Sequence, residues 1–99
     1  MFRVKVEQEA KANLGAHYQN LQERYPGSDY PEEWYYGIRE AIRDLASSAE
    51  ECGPAYEDRF FAEKIRHRLY GSYKILFTIR GDLVHILYIR HQSQDPEDL

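Results

Sequence analysis

The stretch from Lys64 to His91, KIRHRLYGSYKILFTIRGDLVHILYIRH, decides the fold. Ile, Leu, Val, Phe and Tyr dominate it, residues that suit a pleated, half-buried surface. Breaks at Tyr70-Gly71-Ser72 and Gly81-Asp82 divide it into three strands joined by tight connections, an antiparallel meander. A meander alone leaves an apolar face wet, so the preceding sequence must supply its cover.

The register of the first hairpin decides which side chains share a face. A two-residue turn at Gly71-Ser72 puts Arg66 and Arg68 on the same side as Ile75 and Phe77. A three-residue loop opposes Leu69 to Tyr73 and separates the two characters. Ile65, His67, Leu69, Tyr73, Ile75, Phe77 and Ile79 then line one face, and Lys64, Arg66, Arg68, Lys74, Leu76, Thr78 and Arg80 the other. Register follows the hydrophobic pattern when one face is buried. The three-residue loop is therefore the expectation, with a basic ridge across the outer face, although Gly71 suits the two-residue turn as well.

Phe2 to Val6 alternates apolar and polar and reads as a further strand pairing with the meander. From Gln8 to about Tyr25 the spacing becomes helical, with Ala10, Leu14, His17 or Tyr18, Leu21 and Tyr25 on one stripe. Pro26-Gly27 ends that helix. Asp29, Pro31 and Glu32 give the next start signal, a capping box. Trp34, Ile38, Ala41, Ile42 and Leu45 continue the stripe to about Ser47. So short a connection implies an antiparallel helix hairpin, whose apolar groove covers the sheet. Ser48 to Ala62 holds no period and reads as an acidic loop with a short helical turn, pinned back by Phe60-Phe61. The expected fold is thus α+β, two layers: N-terminal strand, helix hairpin and three-stranded meander, four strands in one sheet. One domain spans 1–91, followed by a polar, acidic, mobile tail at 92–99.

Ninety-nine residues allow one modest core. No apolar run approaches the roughly 18 residues of a membrane helix, and the N-terminus lacks the apolar core of a signal peptide. Cys52 is the single cysteine and cannot form an internal disulfide, which fits a reducing cytoplasm. The net charge of −4 hides an asymmetry. Met1 to Asp58 holds twelve acids against six bases, whereas Arg59 to His91 holds seven bases against Glu63 and Asp82. Such a division marks either a polyanion-binding face or a solvated sheet face. The spacings of His17, His67, His85 and His91 match no metal-ligand pattern, a hydrogen-bonded structural role suits His67, and no phosphate-cradling glycine motif occurs. No metal and no cofactor are expected.

The element order, the hairpin RLYGSYKILF and the terminal strand ending YIRH resemble the RelE/ParE superfamily of toxins from type II toxin–antitoxin systems. The resemblance covers Phe2 to about His91. It implies a plasmid-stabilisation type of protein that arrests growth in the cytoplasm. Its implied partner is a cognate antitoxin, with operator DNA met only through that antitoxin and no membrane. Members resembling RelE cleave messenger RNA on the ribosome without a metal. That branch implies a site at Arg66, Arg68, Lys74, Arg90 and His91, with Arg68 and Lys74 directly opposed. The chain departs from it at Gln92, where an arginine is expected, and has no tyrosine after Tyr88. Members resembling ParE inhibit DNA gyrase and need no catalytic residues. The Arg-His ending, the long hairpin and the acidic total fit that branch better. In either case the resemblance implies an antitoxin segment across the hairpin and sheet, anchored at Tyr18, Trp34 and Tyr35 and masking Arg66, Arg68 and Arg80.

Overall fold

The computed structural model describes residues 1–94; the expected tail from residue 95 onward lies outside them. Strand β1 (Arg3–Val6) leads into helix α1 (Gln8–Arg24) and helix α2 (Tyr30–Ser48). Two short 3-10 segments, Ala49–Glu51 and Tyr56–Phe60, precede strands β2 (Arg66–Tyr70), β3 (Tyr73–Arg80) and β4 (Leu83–His91). The sheet runs β1-β4-β3-β2, with β1 parallel to β4 and the other pairs antiparallel. This is the expected α+β arrangement, with both helices on one face of a four-stranded sheet.

The helices form where their stripes predict. Ala10, Leu14 and Leu21 of α1 and Trp34, Ile38, Ala41, Ile42 and Leu45 of α2 are buried. They meet Tyr73, Ile75, Phe77, Val84, Ile86 and Ile89 of the sheet in one core cluster. Each such aliphatic side chain, fully buried, stabilises by about 1.5–3 kcal/mol. The expected capping box does not form. Asp29 makes no side-chain cap, and the Ser28 hydroxyl accepts the Tyr30 N–H at 3.0 Å instead. Glu32 is engaged elsewhere, accepting the Tyr18 hydroxyl at 2.9 Å. At Gly37 the Tyr70 side chain of the sheet packs closely against α2. A Cβ there would overlap the Tyr70 hydroxyl and lie 2.7 Å from its Cζ.

The first hairpin overturns the expected register. Tyr70 pairs with Tyr73, and Arg68 faces Ile75 rather than Lys74, whose partner is Leu69. Gly71 takes φ +56° and is followed by Ser72 without positive φ, the pattern of a two-residue turn with glycine first. Gly81, at φ +63°, does the same before Asp82. A turn that matches strand twist outweighs the segregation of apolar from basic side chains, because β2 is an edge strand. Its side chains can run off the sheet toward solvent. The basic ridge is therefore absent: Arg66 and Arg68 lie on the helix side, with Ile75 and Phe77.

The outer face carries a smaller cluster of Ala55, Ile65 and Leu76, with Phe61, Leu87 and Tyr88 packed against it. A register shift between Leu76 and Phe77 opposite β4 pairs Leu76 with Tyr88 and Phe77 with Ile86. The extra residue is Leu87, and the bulge lets an apolar run serve both faces. The acidic loop roofs this patch. Phe61 packs on Tyr88, with ring centroids 6.3 Å apart, but Phe60 is 45% exposed and does not pin the loop as expected.

Candidate functional site

The five residues of the ribonuclease reading are not gathered in one place. Arg66 donates to the carbonyls of Glu50 (3.2 Å) and Cys52 (2.7 Å). Arg68 donates to the carbonyl of Ala41 at 3.2 Å and lies 3.7 Å from Asp44. Both guanidinium groups thus cross the edge of the sheet to hold α2 and the segment after it. The Glu50 and Cys52 carbonyls that Arg66 takes follow the C-terminal end of α2, where the helix dipole favours a cation.

Lys74 and Arg90 are cross-strand partners on the opposite face. They are brought together around a residue that the sequence reading passed over, Glu57. Its side chain has no exposed surface, and its Oε2 lies 2.6 Å from Lys74 Nζ and 3.6 Å from Arg90 Nε. The other oxygen, Oε1, is buried and accepts no hydrogen bond among the described residues. A buried carboxylate needs cationic partners to offset its desolvation, and Glu57 has two. No local pattern marks Glu57, because its place depends on where an aperiodic loop lands over Lys74 and Arg90. Chemically, this is a sealed ion triad beneath the 3-10 turn rather than an open basic surface.

His91 sits on the helix side, opposite Tyr73 in the ladder. Its ring meets that of Tyr73 edge-on at 5.0 Å. Tyr73 also touches the rings of Trp34 (4.9 Å) and His17 (5.0 Å). His17 Nε2–H donates to the Ile89 carbonyl at 2.9 Å. Burial holds the His17 imidazole below the ordinary histidine range, against the opposing pull of that hydrogen bond. Trp34, Tyr73 and His91 line a cleft of about 490 Å³ between the connection of the two helices and the Tyr70–Tyr73 turn, together with Arg24, Tyr25, Tyr30 and Glu33.

The expected partner anchors divide. Trp34 is buried at 3% exposure and belongs to the core, so it is not an exposed anchor. Tyr18 and Tyr35 are half-buried, their rings 5.2 Å apart, and Tyr36 beside them is 66% exposed. Hydrogen bonding to Glu32 pushes the Tyr18 hydroxyl above the ordinary tyrosine range. Arg80 is exposed and pairs with Glu63 through Nε at 3.0 Å, which lowers the Glu63 carboxyl from its ordinary value. The expected structural hydrogen bond is not made at His67 Nδ1, which is buried without a partner among the described residues. Among the described residues no group of His, Cys, Asp or Glu is arranged to hold a metal ion. No helix there is long and apolar enough to cross a membrane.

An antiparallel helix hairpin packs on a β1-β4-β3-β2 sheet whose first strand runs parallel to its last, and this fold has a counterpart among solved structures. The chain is similar to one from a solved structure described as the chromosomal ParDE TA system from P. aeruginosa. The TM-score is 0.74 at 20% identity, over 92% of this chain and 96% of that one. No family model matches the sequence, and no curated protein matches it.

Proposed function

We propose that the chain is the toxin of a type II toxin–antitoxin pair, ParE-like in action. It binds and inhibits DNA gyrase in the cytoplasm and is neutralised by a cognate antitoxin. The likeness to a ParDE chain supports the toxin reading. The gyrase branch is supported by one observation above all, the division of the five candidate catalytic residues. Arg66 and Arg68 are bound to backbone carbonyls on one side, and Lys74 and Arg90 are closed over Glu57 on the other. A ribonuclease needs its acid, base and charge-stabilising groups around one phosphate. The half-buried Tyr18 and Tyr35 with exposed Tyr36 leave an aromatic strip on the hairpin for a protein partner, in keeping with the anchors such interfaces use.

Expression without antitoxin tests this reading, with the DNA-damage response and messenger RNA integrity followed in the same cells. Growth arrest with damage signalling and intact transcripts is expected. Rapid transcript cleavage would instead establish the RelE-like ribonuclease. Arg68→Ala and His91→Ala would then each abolish arrest, whereas on the gyrase reading changes to Tyr18, Tyr35 or Tyr36 weaken it at least as much.

A further inference from the structure

The cleft beside Tyr73 continues into a second hollow of about 250 Å³, lined by His17, Asn20, Ser93 and Gln94. Leu21, Arg24, Tyr73 and His91 line both hollows and so stand at their junction. Together the two have the size of a small-molecule site. The junction offers donors. Arg24 is exposed, lies 5.8 Å from the centroid of the Tyr25 ring and forms no ion pair among the described residues. His91 Nδ1 accepts the Ser93 N–H at 3.0 Å, so the neutral ring carries its proton on Nε2. Ser72 adds a hydroxyl. The larger hollow is aromatic. Tyr25 and Tyr30 are 42% and 44% exposed, with rings 5.2 Å apart and close to perpendicular. Glu33 lines the same hollow and also forms no ion pair among the described residues. In its wall the Trp34 indole N–H is buried without an acceptor among the described residues, although buried donors are ordinarily paired.

A cation with a neighbouring N–H donor, flat ring faces and an unpaired carboxylate in one cleft match a ligand of three parts. We propose that the cleft binds a free guanine nucleotide. Its phosphate meets Arg24 and His91 Nε2–H, its base lies against the rings of Tyr25 and Tyr30, and Glu33 takes its N1–H and N2–H. Arginine and phosphate form charge-assisted hydrogen bonds, and every base has a face that stacks on an aromatic side chain. Glu33 selects among the bases. Guanine presents two adjacent N–H donors, which a carboxylate can accept together, whereas adenine presents only its amino group. A nucleic-acid strand suits the cleft less well. Strand binding rests on several neutralised phosphates, and here one arginine stands in the same cleft as an acid. The inference goes beyond the toxin reading and concerns purified protein, so it stands or falls without growth arrest.

The test titrates the purified chain with GMP, following the backbone amides and the indole N–H resonance of Trp34, its single tryptophan. Saturable shifts at Trp34, Ser72 and His91 are expected, with Kd below about 1 mM. Guanosine, which lacks the phosphate, and inorganic phosphate alone should each bind at least about tenfold more weakly. AMP should bind about fivefold or more weakly than GMP. Arg24→Gln should bring GMP and guanosine to one affinity, and Glu33→Gln should do the same for GMP and AMP. Both residues are exposed, and an otherwise unchanged amide spectrum checks that each variant keeps the fold. No saturation by about 5 mM GMP overturns the proposal. Equal affinity of the wild-type chain for GMP and AMP, or for GMP and inorganic phosphate, overturns it as well. So do shifts centred on Lys74 and Arg90, and tighter binding of a single-stranded RNA without terminal phosphates than of GMP.

Discussion

Replacing Glu57 by Ala removes the carboxylate that Lys74 and Arg90 share. Lys74 is 16% exposed, so its ammonium remains largely out of water with its neutralising partner gone, and Arg90, at 6%, loses one of its contacts. Breaking a buried pair in this way costs about 3–5 kcal/mol. The whole stability of a chain of 99 residues is of order 5–15 kcal/mol. At roughly 4–8 °C per kcal/mol for a domain of this size, Tm should fall by about 15 °C or more. Glu57→Gln keeps an acceptor for Lys74 Nζ but not the charge, and should lose about 1–3 kcal/mol. Adding Lys74→Met to Glu57→Ala should recover much of the loss, because the buried ammonium that Glu57 neutralises disappears with it. Urea unfolding of the single and double variants gives the coupling, expected near 2 kcal/mol. A loss under about 1 kcal/mol for Glu57→Ala, with no coupling to Lys74, would refute the triad. The loop from Ala55 to Phe61 would then not be docked on the sheet in solution.

Gly37→Ala should destabilise the protein by about 1–3 kcal/mol through overlap with Tyr70. In a Tyr70→Ala background the same change should become stabilising, by up to about 1 kcal/mol from helix propensity, as thermal melts of the four variants would reveal. His17 is held neutral by burial, so its folded pKa lies below the ordinary 6.5. Between those two values the unfolded chain binds more protons than the folded one, and stability falls as pH falls through that window. Urea midpoints for wild type and His17→Gln should converge on acidification from pH 7.5, and parallel curves would exclude the effect. Burial also pushes the Cys52 thiol up, only partly offset by Arg68 and Arg66. Its reaction with a soluble disulfide reagent should be at least about tenfold slower in native buffer than in urea.

Much of this architecture is written in local patterns. The stripe from Trp34 to Leu45 and the alternation of Phe2 to Val6 each state a period, and each produced the expected element in the expected layer. The register at Gly71 was equally present, since glycine followed by Ser or Asp at both hairpins favours the two-residue turn. It was outweighed by a rule that applies to central strands better than to edges: apolar and charged side chains need separate faces only where both are enclosed. Arg66 and Arg68 escape it by reaching round the edge to carbonyls of α2 and the following turn. Leu87 could not be placed by alternation, because a bulge changes parity without a mark in the sequence. Glu57 was illegible for a different reason. Its role depends on a loop without periodicity landing over Lys74 and Arg90, which is long-range information. Trp34 sat on the apolar stripe, and its size and position argued for the core it occupies.

The parallel pairing of β1 with β4 has a consequence for the order of assembly. Glu7 and His85, 78 positions apart, meet at the end of that pairing. The helix hairpin can form early from neighbours, but the first strand must wait until the last strand has been synthesised. Loop closure over such a separation is entropically costly and comes before any reward from pairing. During translation the nascent chain therefore carries an unpaired valine-rich strand and an uncovered hairpin face. The finished sheet, and whatever surface depends on it, comes into being only in the final step of the chain's own folding.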